Sequence, residues 1–440
     1  MSGHAVDLPA RRVDVLREVD VVVAGGGSAG VAAAVSAART GASVILLERN
    51  GFLGGTMTAT SLGGICGLYS LVDGAPVQMV FGFAEEVRAR LEAAGGSRGP
   101  LPWLQTASLP YDLFILKGVL EDLATEPRLE VFYQARVTDV IAEEGRVSHV
   151  AVRGRGEAPF AIAARQFIDC TGDAELCALA GTDIDYAPAE LQFPSAMFRM
   201  GGVDTARAMS VSRPEMHRLL EQAVSDGYDL PRTAGGIYSV RDGLVHLNIT
   251  KVKVSGGPPD PFDPEQLSEA EREGRRQVRT YLEVFRRYVP GYENAYVIDT
   301  GSELGLRETR RIRGVYAMSV DDVLGERRFD DAIAVNCWPV EDHGEGRSTR
   351  WVWLSPGGYC QIPFRSLLPR GLANVTVAGR NASATHEAQA SIRVTANCFS
   401  MGQAAGFAAA MAGDGAVGDV DTGSLQGRLQ AAGATLGCDG

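Results

Sequence analysis

Residues 19–48 read VDVVVAGGGSAGVAAAVSAARTGASVILLE, and this stretch decides the fold. VDVVVA (19–24) is a short β-branched run of the kind buried in a parallel sheet. GGGSAG (25–30) has the G-x-G-x-x-G spacing. There Gly25, Gly27 and Gly30 serve the tight turn, the close approach to a pyrophosphate and the helix–strand contact. VAAAVSAARTG (31–41) is rich in alanine, contains no proline, and reads as a helix closed by Gly41. ASVILLE (42–48) is a second buried strand ending in Glu48, where a carboxylate can accept hydrogen bonds from ribose hydroxyls. The stretch is a complete βαβ unit for a dinucleotide.

AGDGAVG (412–418) repeats the glycine spacing out of context. It follows GQAAGFAAAMA, which reads as a helix, and precedes DVDTGSLQG, which has no helical character. Gly413, Gly415 and Gly418 therefore read as a turn ending that helix. One dinucleotide fold is expected.

The chain has 440 residues, enough for two domains sharing an interface. A net charge of -12, from 42 basic and 54 acidic residues, argues against a nucleic-acid partner. Seven scattered cysteines do not form a disulfide framework. MSGHAVDLPARRVDV lacks the apolar core of a signal peptide, so a cytoplasmic protein is expected. Residues 21–38 are uncharged, but three consecutive glycines interrupt them and the strand–turn–helix reading accounts for each; no membrane span is expected. SGGPPDPFDPEQ (255–266) reads as a linker, and EREGRRQVRTYLEVFRRYV (271–289) as a charged amphipathic helix with a solvated face.

Further motifs extend the first unit. A Gly54-Gly55-Thr56 turn would bring a second backbone loop toward the nucleotide. LEVFYQARVTDVIAEEGRVSHVAVRG (129–154) alternates as strands with a turn at Glu144-Gly145. ARQFIDCTGDAELCALAG (164–181) is a strand, a Thr171-Gly172-Asp173 turn and a helix start. NVTVAGRNAS (374–383) is a strand ending in Gly379 and Arg380.

With VAGRNASATHEA and GQAAG, these motifs resemble the FAD-dependent oxidoreductases of the glutathione-reductase-like fold. GLRETRRIRG (305–314), IPFRSLLP (362–369) and SATHEAQASIRV (383–394) are more narrowly similar to a bacterial group known simply as FAD-dependent oxidoreductases. The resemblance runs from about residue 18 to 412 and is weakest between 190 and 300. It implies an α/β protein: an FAD-binding Rossmann-type domain with a parallel sheet, plus an inserted α+β substrate domain. The chain would divide at 1–185, 186–369 and 370–440, the two ends together building the FAD-binding domain. The implied cofactor residues are Gly25, Gly27, Ser28, Ala29 and Gly30, then Glu48 and Arg49, then Gly54, Gly55 and Thr56. Val137, the Thr171-Gly172-Asp173 turn, Gly379, Arg380, Gly402 and Ala404 complete them. Cys170 and Phe364 stand where the group more often has alanine and tyrosine, and neither should disturb FAD binding.

The small-residue helix, expected to begin near Gly402, would point its positive N-terminus at the flavin. Alternatively, GQAAG is small only for close packing. Arg307, Arg310 and Arg365 suit an anionic substrate, although Arg307, Arg310 and Arg311 with Glu308 also fit an ion-pair network. His386 and His343 are the candidate acid/base residues, or else hydrogen-bond the flavin or backbone. Trp338, Trp351 and Trp353, with Tyr359, either wall a substrate or fill a core. Cys66 has no nearby partner cysteine, and no second nucleotide site is evident, which argues against a disulfide reductase. No metal-site spacing appears.

The expectation is an FAD-dependent dehydrogenase or oxidase taking a hydride from a small organic substrate, with a homo-oligomer left open. Its rivals are a flavin monooxygenase, which a recognisable NAD(P)H site would favour, and a non-catalytic electron-relay subunit.

Overall fold

β1 (Val15–Ala24) leads into α1 (Ser28–Arg39), which returns as β2 (Val44–Glu48). The computed structural model describes residues 11–156 and 158–437, so the N-terminal stretch read for a targeting signal lies largely outside them. The inner half of β1 and all of β2 are buried, as continuous Val/Ile/Leu runs require in a parallel sheet.

The sheet is completed by β3 (Leu129–Tyr133), β4 (Arg136–Glu143), β5 (Arg146–Arg153), β6 (Phe160–Asp169) and, far along the chain, Val375–Val377. β3, β2, β1 and β6 run parallel in that order, and Val375–Val377 adds in parallel beyond β6. β4 and β5 form the expected hairpin, with φ of 48° at Glu144 and 76° at Gly145. Parallel neighbours place every β-to-α turn at one sheet edge, where a nucleotide site is built.

Between β2 and β3 the chain inserts an antiparallel four-stranded sheet (Gly64–Val72, Ala75–Gln78, Leu101–Trp103 and Thr106–Pro110), to which the sequence reading assigned nothing. A second antiparallel sheet comprises β7 (Phe198–Gly201), β8 (Gly236–Tyr238), β9 (Leu244–Asn248) and β10 (Tyr296–Thr300). It shares a core with α2 (Pro264–Tyr288) through Phe198, Leu247, Tyr281 and Phe285.

Three element boundaries correct the sequence reading. α2 starts seven residues before 271, inside the supposed linker. Asp263 caps it by accepting from the Glu265 and Gln266 amides, and Pro264 occupies the first turn, so the apparent breakers are a helix start. DVDTGSLQG is also helical: Thr422–Ala431 forms a helix whose Asp421 side chain accepts from Ser424 N at 2.8 Å. Third, the small-residue helix α4 spans Thr395–Ala412, following the short α3 (His386–Ile392), so Gly402 lies in its interior.

A Cβ on Gly402 would lie 2.0 Å from Ala29 O, and one on Gly406 would lie 2.2 Å from Ala33 O. These glycines let α4 lie directly on α1. Close packing explains GQAAG, and neither Gly402 nor Ala404 lines the site described below. AGDGAVG behaves as the turn after α4: Gly413 has φ 53°, and Gln166 Nε2 donates to the Gly413 and Gly415 carbonyls at 2.9 Å. No helix among the described residues is long and apolar enough to cross a membrane.

Candidate active site

The turn between β1 and α1 opens onto a cavity of about 460 Å³ that continues, without a break, to His343 and Trp351. Gly25 has φ 98°, and a Cβ there would lie 2.5 Å from Cys170 O, so only glycine fits where β1 meets the end of β6. Gly30 does not line the cavity; its added Cβ would fall 1.7 Å from Gly25 O, the tight helix–strand contact. Gly27, by contrast, faces open space: a Cβ there meets only Gly55 Cα, at 3.8 Å. Such a bare backbone at a helix N-terminus is a cradle for a pyrophosphate.

Glu48 is buried at the end of β2 and organises this turn. Its Oε2 accepts from Gly26 N and its Oε1 from Asn50 N, both at 2.7 Å. Burial raises its pKa against these two amides. Gly54 N donates to Gly26 O at 2.8 Å, so the second glycine loop docks on the first. Gly55 and Thr56 line the cavity there, while Gly54 serves the docking only.

Ser28, Ala29, Arg49 and Val137 line the same end, as do Thr171, Gly172 and Asp173. Opposite them Gly379 and Arg380 follow Val375–Val377. Arg380 pairs with Asp173 at 2.6 Å. Burial works to raise the Asp173 pKa, but Arg380 and Arg49 outweigh it and hold the carboxyl below its ordinary range. The N-terminus of α4 arrives deeper in the cavity, where Val394, Thr395 and Cys398 line the wall.

The far lobe gathers residues from distant segments. Trp103 comes from the inserted sheet, Tyr238 from β8, Trp338 and Trp351 from the region before residue 370, and Arg393 from just before α4. His343 lies here, buried, within a chain of hydrogen bonds. Arg232 donates to Thr349 Oγ1 at 3.1 Å, and Thr349 Oγ1 stands 3.3 Å from His343 Nδ1. His343 Nε2 lies 2.9 Å from Glu341 Oε1, while Glu341 Oε2 accepts from Trp338 Nε1 at 3.1 Å. Glu341 is an acceptor, so the ring proton sits on Nε2 and Nδ1 is left as an acceptor. Burial, then Arg307, Arg232, Arg393 and Lys251, push the His343 pKa well below its usual value. His343 is neutral at physiological pH.

His386 is placed differently from expectation and does not line the cavity. Asp342 and Glu308 push its pKa up to about 10. Glu308 makes the hydrogen-bonded contact, 2.8 Å from Nδ1, and Asp342 Oδ1 stands 3.8 Å from Nε2. A histidine already protonated at neutral pH has no lone pair for a substrate proton, so it is not the base.

Linkage fixes the sign of its effect on stability. A folded pKa raised above the ordinary 6.5 stabilises fully below 6.5 and less as pH rises through 10. His386→Gln should cost on the order of 1 kcal/mol near neutrality, because the half-buried ring is screened by solvent and Glu308 keeps Arg311 as a partner. Urea unfolding at pH 6.5 and pH 10 should show that gap closing at the higher pH; a gap of constant size contradicts the ion-pair role.

Two expected arginines also stand elsewhere. Arg310 donates to Asp173 O at 3.0 Å and lies over the Phe262 ring, outside the cavity lining. Arg365 pairs with Asp331 at 2.8 Å beside Tyr316, likewise outside the lining. Arg311 pairs with Glu308 and Asp185, so the ion-pair reading describes this part of the cluster. Arg307 alone of these points into the site. Cys66 lines the cavity, but burial pushes its thiol up to about 12, and it forms no disulfide. Among the described residues no group of side chains could hold a metal ion.

The chain belongs to the FAD dependent oxidoreductase family, whose model matches residues 20–429. It is therefore an FAD-dependent oxidoreductase, with FAD as its cofactor. Among solved structures it is similar to a geranylgeranyl bacteriochlorophyll reductase-like protein from Thermoplasma acidophilum. Identity there is 15% and the TM-score 0.44, over 94% of this chain and 83% of that one. A p-nitrophenol 4-monooxygenase from Pseudomonas putida matches at 13% identity and a TM-score of 0.46, over 96% of this chain and 82% of that one. A flavin-dependent brominase matches at 12% identity and 0.45, over 94% and 83%.

Proposed function

We propose that the protein oxidises a small organic substrate by removing a hydride and a proton, with the substrate in the lobe lined by Trp103, Trp338, Trp351 and His343. The observation that carries this reading is the unbroken cavity from the Gly27 cradle to His343.

The residues at the first end fit FAD. Gly27 leaves the space that a side chain would fill, and the α1 N-terminus offers amides to a pyrophosphate. Glu48 can still accept from ribose hydroxyls beside its two amide bonds. The unpaired amides beginning α4 offer partial positive charge further in. FAD bound there would supply a two-electron acceptor for a hydride.

The protein's own contribution lies in the far lobe. Arg307 and Arg232 orient the substrate, and the indole rings exclude water from it. His343 Nδ1 takes the hydroxyl or amine proton, relayed by the Thr349 hydroxyl that stands 3.3 Å from it, as the adjoining carbon gives up its hydride. Glu341 holds the ring in the required tautomer and stabilises the imidazolium that results.

The test is anaerobic mixing of the purified yellow protein with metabolite pools while the flavin absorbance is followed. Bleaching by an organic substrate without NAD(P)H is expected. Reduction by NAD(P)H alone would overturn the reading in favour of a monooxygenase.

A further inference from the structure

The chemical class of the substrate can be narrowed from the charges lining the cavity. At the nucleotide end the arginines are paired: Arg49 with Glu303, Arg136 with Glu175, Arg380 with Asp173. At the far end Arg232, Arg307 and Arg393 line the cavity and make no ion pair among the described residues. Arg307 donates only to neutral oxygens: Phe193 O at 2.6 Å, Ser195 Oγ at 2.9 Å and Asn248 Oδ1 at 3.3 Å. Arg232, 8% exposed, donates from its guanidinium to Thr349 Oγ1. Arg393 reaches Gln192 Oε1 at 3.2 Å and the Glu341 carbonyl at 3.4 Å, and its buried Nε has no partner.

Glu341 is the one carboxylate lining this lobe among the described residues, and both its oxygens are committed to His343 and Trp338. Arg213 and Arg347 also line the cavity from exposed positions, so the guanidiniums outnumber the one carboxylate and leave an uncompensated positive excess, which is strongly unfavourable around Arg232 and Arg307 without an anion. Arg232 and Arg393 each add to the burial that depresses the Arg307 pKa. Beside these charges stand three indoles in mutual contact. Trp351 meets Trp103 edge-on at 4.9 Å and Trp338 at 6.3 Å. The guanidinium fork matches a carboxylate, and the indole walls match a flat apolar body.

We propose that the substrate is a small carboxylic acid with a planar body, its carboxylate held by Arg232, Arg307 and Arg393 and its body set against Trp103, Trp338 and Trp351. This rests on the oxidation proposed above occurring in the same cavity.

The FAD-loaded protein, titrated with sodium benzoate, benzamide and phenyl phosphate, tests it through tryptophan fluorescence. Benzoate should quench saturably and bind at least about tenfold more tightly than benzamide. Arg307→Lys and Arg232→Gln should each weaken benzoate about thirtyfold or more, with FAD content unchanged. Arg232→Gln removes fewer internal contacts and remains informative where Arg307→Lys fails to fold. Equal binding of benzamide, tighter binding of phenyl phosphate, or wild-type binding by Arg232→Gln would each overturn the proposal. The titration needs no turnover. Benzoate binding with no oxidisable acid found would sink only the oxidation; a neutral substrate oxidised without competition from benzoate would sink only the carboxylate.

Discussion

Gly27→Val is expected to yield a folded, colourless protein. Gly27 has φ -71° and ψ -172°, a conformation open to any L-residue, and its Cβ position meets no protein atom closer than 3.8 Å. Within the protein a Cβ at this position is therefore unstrained, and loss of a glycine restricts the unfolded chain, which stabilises slightly. What the valine does fill is the space beside the α1 N-terminus, where the FAD pyrophosphate needs the backbone amides. Losing two charge-assisted hydrogen bonds at roughly 1.5–3 kcal/mol each lowers affinity by about 10²-fold or more. Flavin absorbance per chain, alongside circular dichroism and an unfolding midpoint, checks both halves. Gly30→Ala provides the contrast, because its Cβ would overlap Gly25 O at 1.7 Å and should disrupt the fold itself. A Gly27→Val protein that keeps its flavin would show that this turn is not the cradle.

That contrast indicates which parts of the molecule were legible in the sequence. The βαβ unit was readable because its determinants are local: two buried strands, three spaced glycines and a carboxylate within thirty residues. The start of α4 was not. Val394 precedes it with no side-chain cap, and α4 is buried on every face over residues 395–409, so neither capping nor periodicity marks Thr395. α2 shows the opposite failure, since Asp263 and Pro264 read as breakers but work as cap and first turn.

The candidate site was legible only in its local half. Glu48 and the Thr171–Asp173 turn sit where their own motifs put them. The histidines depend on tertiary partners: Asp342 and Glu308, the latter 78 positions away, stabilise the protonated His386, which no reading of SATHEA could supply. Arg232 and Trp103 escaped notice because neither belongs to a motif, and only the packing of two antiparallel sheets over the cavity brings them together. Arg393 carries only a weak signal, an arginine two residues ahead of a helix rich in small residues.

The same packing makes His343 the residue whose loss should slow the reaction most. Its Nδ1 is an acceptor because Nε2–H donates to Glu341, and burial with the neighbouring cations lowers its pKa so that it is neutral at physiological pH. A base held in this way needs no deprotonation before it acts. Flavin reduction by substrate should therefore show no histidine step near pH 6.5 in the free enzyme. The cationic surroundings that keep His343 neutral also oppose its protonation during turnover. Glu341 and an anionic substrate offset that opposition, so proton uptake is favoured only once the substrate is bound. His343→Ala should lower the rate of anaerobic flavin reduction by about 10²- to 10⁴-fold, the usual contribution of a positioned base. FAD content should be unchanged, since the ring lies in the far lobe. Imidazole added to the variant should enter the vacated space and restore part of the rate. A variant that reduces at the wild-type rate would remove His343 from the chemistry. One that is slow but indifferent to imidazole and shifted only in KM would make the ring a binding contact, leaving the proton to a substrate that needs no base.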